Sequence, residues 1–149
     1  MAISCRVTRG DLTESIHVAF GTAVDKNGQV FFSTGDPHYL TCIRSSLKPF
    51  QAAASIKSGA IDSANFSDKE IALMCASHQG EKDHINTAKS MLEKLNLSVE
   101  NYECGSHLPS NKKVQYDMIQ QEISPTFLHN NCSGKHAGML ALGTYLGKG

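Results

Sequence analysis

The chain has 149 residues, 40% of them apolar, and sets 14 basic side chains against 14 acidic ones for a formal net charge of zero. A chain of this length can bury one globular core. Without a charge surplus it is not expected to bind nucleic acid or a membrane surface through bulk electrostatics.

The start, "MAISCRVTRGDLTESIH", lacks the cationic flank and following apolar run of about 7 to 15 residues that mark an export signal. No stretch reaches the roughly 18 apolar residues of a membrane span. A cytoplasmic location is the resulting expectation. Cys5, Cys42, Cys75, Cys104 and Cys132 are odd in number and widely spaced. They read as reduced thiols, most of them small core residues, not as a disulfide framework.

The first clear element is "SIHVAFGTAVDKNGQVFFSTGD". It alternates apolar and polar residues on both sides of Asn27 and Gly28, whose tolerance of positive φ suits a tight primed turn. This predicts a β-hairpin. "DPHYLTCIR" is a candidate for a further short strand. Phe50, Ala53, Ala54 and Ile56 then fall near helical spacing until Gly59 interrupts the run. Ser67 and Glu70 stand in capping-box register and open a short helix through Ile71, Leu73 and Met74. Ile85, Ala88, Met91, Leu92 and Leu95 predict a longer helix, and Val114, Met118 and Ile119 another. After Pro125 the pattern suggests a short strand, a Ser/Gly turn and a final amphipathic helix with a glycine stop. The fold class is therefore α+β: an N-terminal β-hairpin or sheet with packed helices. The final helix has no visible partner after it, which fits either a complete small domain or a piece of a larger one.

"RSSLKPFQ" places Ser45 and Lys48 three residues apart at a helix start. Composition alone yields about one such serine-lysine spacing in a chain like this, and Ser110 with Lys113 is a second instance. On a helix, however, the two side chains share a face and the amine can reach the hydroxyl. Pro49 suits the first turn, where its missing N–H costs no helical bond, and the free N–H groups there favour a developing oxyanion. A lysine base must be neutral, so the chemistry demands burial or a nearby cation, for which Arg44 is a candidate. The alternative is an N-cap serine beside a surface lysine.

"CASHQGE" brings Ser77 and His78 next to Cys75 just past a helix, as a functional loop or as a polar C-terminal turn. "LHNNCSGKHAG" concentrates His129, Cys132, Lys135 and His136 at another helix start. Cys104 and His107 in "CGSH", with His129 and Cys132 in "HNNC", also have the ligand types and local spacing of a tetrahedral zinc site, though not the order of common zinc modules.

Taken together and in this order, "RSSLKPFQ", "CASHQGE", "ECGSH" and "HNNCSGKHAGML" closely resemble the L-asparaginase II family, the rhizobial-type asparaginases. The likeness runs from "VTRGDLTESIH" to the final helix. It implies a fold similar to serine β-lactamases and penicillin-binding proteins, with a lysine-assisted serine on a helix start. By resemblance, Ser45 is the nucleophile, Lys48 its activating amine and Ser77 a second active-site serine. Arg44 and His136 match positions around the substrate, L-asparagine. Cys132 and Lys135 match two zinc ligands, the lysine serving only as the neutral amine.

The resemblance further implies that residues 1–149 are the N-terminal part of a single asparaginase domain. A member of the family is roughly twice as long, and the C-terminal part would carry a lysine partner for Ser77 and a third zinc ligand, a cysteine. A full-length protein would be a homodimer. Two other readings stay open. One is a penicillin-recognising or β-lactamase-like serine acyltransferase, for which neither "SDN" nor "KTG" occurs in the sequence. The other is a non-enzymatic zinc module built on Cys104, His107, His129 and Cys132.

Overall fold

The computed structural model describes residues 2–147, and the chain divides after Cys42 into two compact units. The first unit consists of two hairpins. β1 (Ile3–Arg9) pairs antiparallel with β2 (Leu12–Ala19), and β3 (Gly21–Val24) pairs antiparallel with β4 (Val30–Thr34). They form two separate two-stranded sheets.

The β3–β4 pair is the hairpin the alternation predicts, but its turn is of another kind. Gly28 has φ 81° while Asn27 is not among the positive-φ residues, so this is not a two-residue primed turn. The connection is longer, and the Asp25 carboxylate closes it by accepting from the backbone N–H groups of Asn27 and Gln29, both at 2.8 Å. Those N–H bonds, that of Gln29 foremost, lower the pKa of Asp25. The β1–β2 hairpin turns at Gly10 and Asp11, between the paired residues Arg9 and Leu12. The short strand expected in "DPHYLTCIR" is absent, because those residues run as turns and irregular backbone.

Among the described residues the second unit carries six α-helices: α1 (Lys48–Lys57), α2 (Ala60–Ser63), α3 (Asp68–Cys75), α4 (Lys82–Lys94), α5 (Lys112–Gln120) and α6 (Ser133–Tyr145). α3 has the expected capping box between Ser67 and Glu70. Glu70 is only 3% exposed. Its carboxylate accepts from the Lys94 amine at 2.7 Å, the Ser67 backbone at 2.7 Å and the Ser90 hydroxyl at 3.0 Å. Burial alone would raise its pKa, but these donors outweigh it and the net shift is downward. The strand anticipated after Pro125 is a 3-10 turn, Phe127–His129.

The core lies among α3, α4 and α6, with Leu73, Met74, Ala88, Met91, Leu92 and Ala137 buried in one cluster. α6 fits against α3 because it presents glycine there. A Cβ on Gly134 would stand 2.6 Å from the Leu73 carbonyl oxygen, and one on Gly138 would stand 2.4 Å from the Met74 methyl. α1 also packs on α6, but through its small residues. Ala52 and Ser55 are buried, and the Ser55 hydroxyl donates to the Gly138 carbonyl at 3.1 Å. The residues at helical spacing, Phe50, Ala53, Ala54 and Ile56, point the other way and are exposed, Phe50 by 69%. Helical spacing identifies a face, while close approach to a glycine-bearing neighbour selects which face is covered. The five cysteines are free thiols, as expected, but none is a fully buried core residue: Cys5 and Cys42 are exposed and the other three half-buried.

Candidate active site

Ser45 lies in a 3-10 turn, Arg44–Leu47, that leads into α1. Arg44 has φ 49°, a left-handed conformation that costs a side-chain-bearing residue about 1 to 2 kcal/mol. The Ser45 side chain is exposed, and its hydroxyl has no hydrogen bond among the described residues. Lys48, the first residue of α1, is 3% exposed. Its amine is held from another direction: it donates to the Ala76 carbonyl at 2.6 Å and to the Ser77 hydroxyl at 2.7 Å.

That meeting follows from how α3 ends. Its C-cap residue, Ala76, leaves the helix in an extended conformation, so the chain crosses the start of α1 with a carbonyl and a hydroxyl facing the buried amine. The sequence reading pairs Lys48 with Ser45, because a local spacing is visible and a contact 29 residues away is not. The structure joins Lys48 to Ser77, and Ser45 stands on the turn just before it. With two positions used, the nitrogen has one left, a donor in the ammonium and a lone pair in the neutral amine.

α6 supplies the other side. His136 and His78 both feel the positive charge of Lys48. The pKa of His136 is lowered first by burial, then by Lys135 and Lys48. Its ring packs edge-on to Tyr102, and Nδ1 is buried without a hydrogen-bond partner among the described residues. With Tyr102, Cys104, Met139 and Thr144, His136 lines an open hollow of about 660 Å³. Tyr102 donates to the Ser133 carbonyl at 2.9 Å, and burial, followed by the Cys104 thiol, raises its pKa.

Cys132 is the N-cap residue of α6 and Lys135 lies in its first turn. The segment around Cys104 is tied to this turn: the Asn130 side-chain amide donates to the Gly105 carbonyl at 2.7 Å, and the Asn131 N–H donates to His107 Nε2 at 3.2 Å. Burial raises the Cys104 pKa, and the charges of Cys132 and Lys135 act on it in opposite directions. A thiol, a second thiol and an amine therefore share one neighbourhood.

His107 is placed differently from the four-ligand zinc reading. Both of its ring nitrogens are engaged, Nε2 with Asn131 N–H and Nδ1 with the Leu108 carbonyl at 2.9 Å. His129 Nδ1 accepts from the Thr126 backbone at 3.0 Å, and burial lowers its pKa. Among the described residues no group of three or more His, Cys, Asp or Glu is arranged to hold a metal ion.

The buried Lys48 amine thus meets the Ser77 hydroxyl just after α3, with Ser45 on the turn that leads into α1. The sequence profile of the L-asparaginase II family matches residues 5–148, and the chain belongs to that family. A search of curated proteins found no match.

Proposed function

We propose that this chain carries the nucleophilic part of an amidohydrolase that converts L-asparagine to L-aspartate and ammonia. The observation that carries the reading is the buried Lys48 amine, fixed 2.7 Å from the Ser77 hydroxyl beside the turn that bears Ser45. Family membership supplies the substrate class.

In the proposed mechanism the Ser45 oxygen attacks the side-chain amide carbon of asparagine. Neutral Lys48 takes the hydroxyl proton and passes it to the amide nitrogen, the C–N bond breaks and ammonia leaves. Water then attacks the resulting ester and gives a proton to Lys48, which returns it to Ser45 as aspartate departs. Ser77 orients the lysine amine throughout. Arg44 and His136 lie on the two elements that flank this centre, where they would bind the charged ends of the substrate. The 2.7 Å bond also favours a second reading, in which Ser77 itself is the attacking hydroxyl and Ser45 assists.

Zinc is the ion that the donor types around Cys132 would suit. Cys132 and Lys135 would hold the ion as thiolate and neutral amine, with the Cys104 thiol close enough to act on both. Bound zinc would fix the first turn of α6, and with it His136.

The test is ammonia release from asparagine by the parent protein and by Ser45→Ala, Ser77→Ala and Lys48→Met. Lys48→Met is expected to lower kcat by at least about 10³-fold. Ser45→Ala should fall as far, with Ser77→Ala less affected. Reversal of the two serine results selects the second reading. Parent-level turnover in Lys48→Met would end both.

A further inference from the structure

His78 is a buried titratable group that the proposed mechanism does not use. It is 4% exposed, its partner Ser133 is fully buried, and together they bridge the loop after α3 to the first residue of α6. Resting on the reading of Lys48 and Ser77 as active-site groups, we propose that His78 is a positioning residue, a clamp that fixes the Ser77 hydroxyl against Lys48 and anchors the α6 start to it.

The hydrogen bonds define the clamp. The Gly80 backbone N–H donates to His78 Nδ1 at 3.1 Å, so Nδ1 is the unprotonated nitrogen. Nε2 therefore carries the proton and donates to the Ser133 hydroxyl at 2.8 Å. The His78 backbone N–H donates to the Asn131 carbonyl at 3.1 Å. One residue thus ties its own loop closed and ties it twice to the segment that carries Cys132, Lys135 and His136. Ser77 precedes it directly, so these bonds fix the backbone from which the hydroxyl on Lys48 projects.

The neutral tautomer is stable over the working range. Burial, then the charges of His84, Lys48, His107 and His129, hold the His78 pKa down to about 4. His78 is therefore not expected to act as an acid or base in the reaction. Its role is geometric, and displacement of a reacting group by about 1 Å can cost on the order of 10²-fold in rate.

The test uses His78→Leu, His78→Gln and Ser133→Ala. Leucine leaves the buried Ser133 hydroxyl and Gly80 N–H without partners. The glutamine amide nitrogen falls near the Nε2 position and restores the donor to Ser133. His78→Leu is expected to lower kcat by about 10- to 100-fold with KM within about threefold of the parent. His78→Gln should recover most of the loss, and in a Ser133→Ala background the difference between leucine and glutamine should vanish.

A readout independent of turnover is competitive acetylation by acetic anhydride, with Lys48 followed against Lys94 by peptide mass spectrometry. His78→Leu should raise labelling of Lys48 by about tenfold, leave Lys94 unchanged and be reversed by glutamine. Unchanged Lys48 labelling, or equal rises at both lysines, overturns the clamp, as does parent kcat in His78→Leu. If the parent releases no ammonia from asparagine while the labelling pattern holds, the proposed function fails and the clamp stands.

Discussion

The two units of the chain solve the problem of order in different ways. In the hairpins the register is set by paired backbone groups and by turns closed with Gly10, Asp25 and Gly28. Their apolar side chains, among them Ile16, Val18 and Phe31, are exposed, and Thr34 alone among described residues 2–42 is buried. In the helical unit the register is set by side-chain packing around α6, where glycines permit contact and a buried histidine and lysine take specific partners. Every candidate site residue belongs to the helical unit. The proposed chemistry, which depends on distances of a few tenths of an ångström, would then draw on atoms that packing, not only backbone pairing, fixes.

The sharpest way to break this contrast is to fill the α3–α6 contact. Gly134→Ala puts a methyl against backbone at 2.6 Å, and backbone cannot yield as a flexible side chain can. A stability loss of about 2 to 3 kcal/mol is expected. Residue-resolved hydrogen exchange should show faster exchange in α3 and α6 and unchanged protection in β1 to β4. Equal acceleration in the strands would show that the two units do not unfold independently. Gly138→Ala is expected to cost less, because its nearest neighbour is the flexible end of Met74.

The same contact explains what was legible in the sequence. Capping and periodicity revealed α3, α4 and α5, since Ser67 with Glu70 and the spacing of Met91 and Leu92 are local signals. The motif residues Ser45, Lys48, Ser77, Cys132 and Lys135 were visible through resemblance. The pairing of Lys48 with Ser77 was not, because it arises from the extended exit of α3 over the start of α1. The covered face of α1 was hidden for a related reason: Gly138 on α6 selects Ala52 and Ser55, and no pattern within α1 reports that. His78 and Ser133 gave a weaker signal, a histidine beside a candidate serine and a serine at a helix start, which only the fold joins.

Acid should separate the units by an intermediate amount. The His78 pKa in the folded chain is about 4, below its usual 6.5. Above pH 6.5 the ring is neutral whether folded or unfolded and imposes no penalty. As pH falls from 6.5 to 4 the unfolded chain takes up a proton that the folded one refuses, so stability is lost across that window. The part due to His78 is about 2 kcal/mol after allowance for solvent screening. His129 and His136, also lowered by burial, act in the same direction. In denaturant titrations at pH 7 and pH 4.5, His78→Gln should show a smaller acid-induced drop than the parent, and an equal drop would remove His78 as its source.

The smallest effect is expected in the strands. Val18 and Phe31 are 58% and 72% exposed, so replacing them removes little buried apolar area, and exposed substitutions ordinarily shift stability by no more than about 0.5 kcal/mol. Val18→Thr keeps a β-branched side chain and preserves the strand preference at its pairing with Ser4. Phe31→Ser gives up some of that preference, so it should be the larger of the two. Asparagine turnover and hydrogen exchange in α3 and α6 should be unchanged in both. A stability loss above about 1 kcal/mol at Phe31 exceeds what an exposed ring can contribute. It would mean that the hairpin face is covered in solution, and that packing orders the first unit as it orders the second.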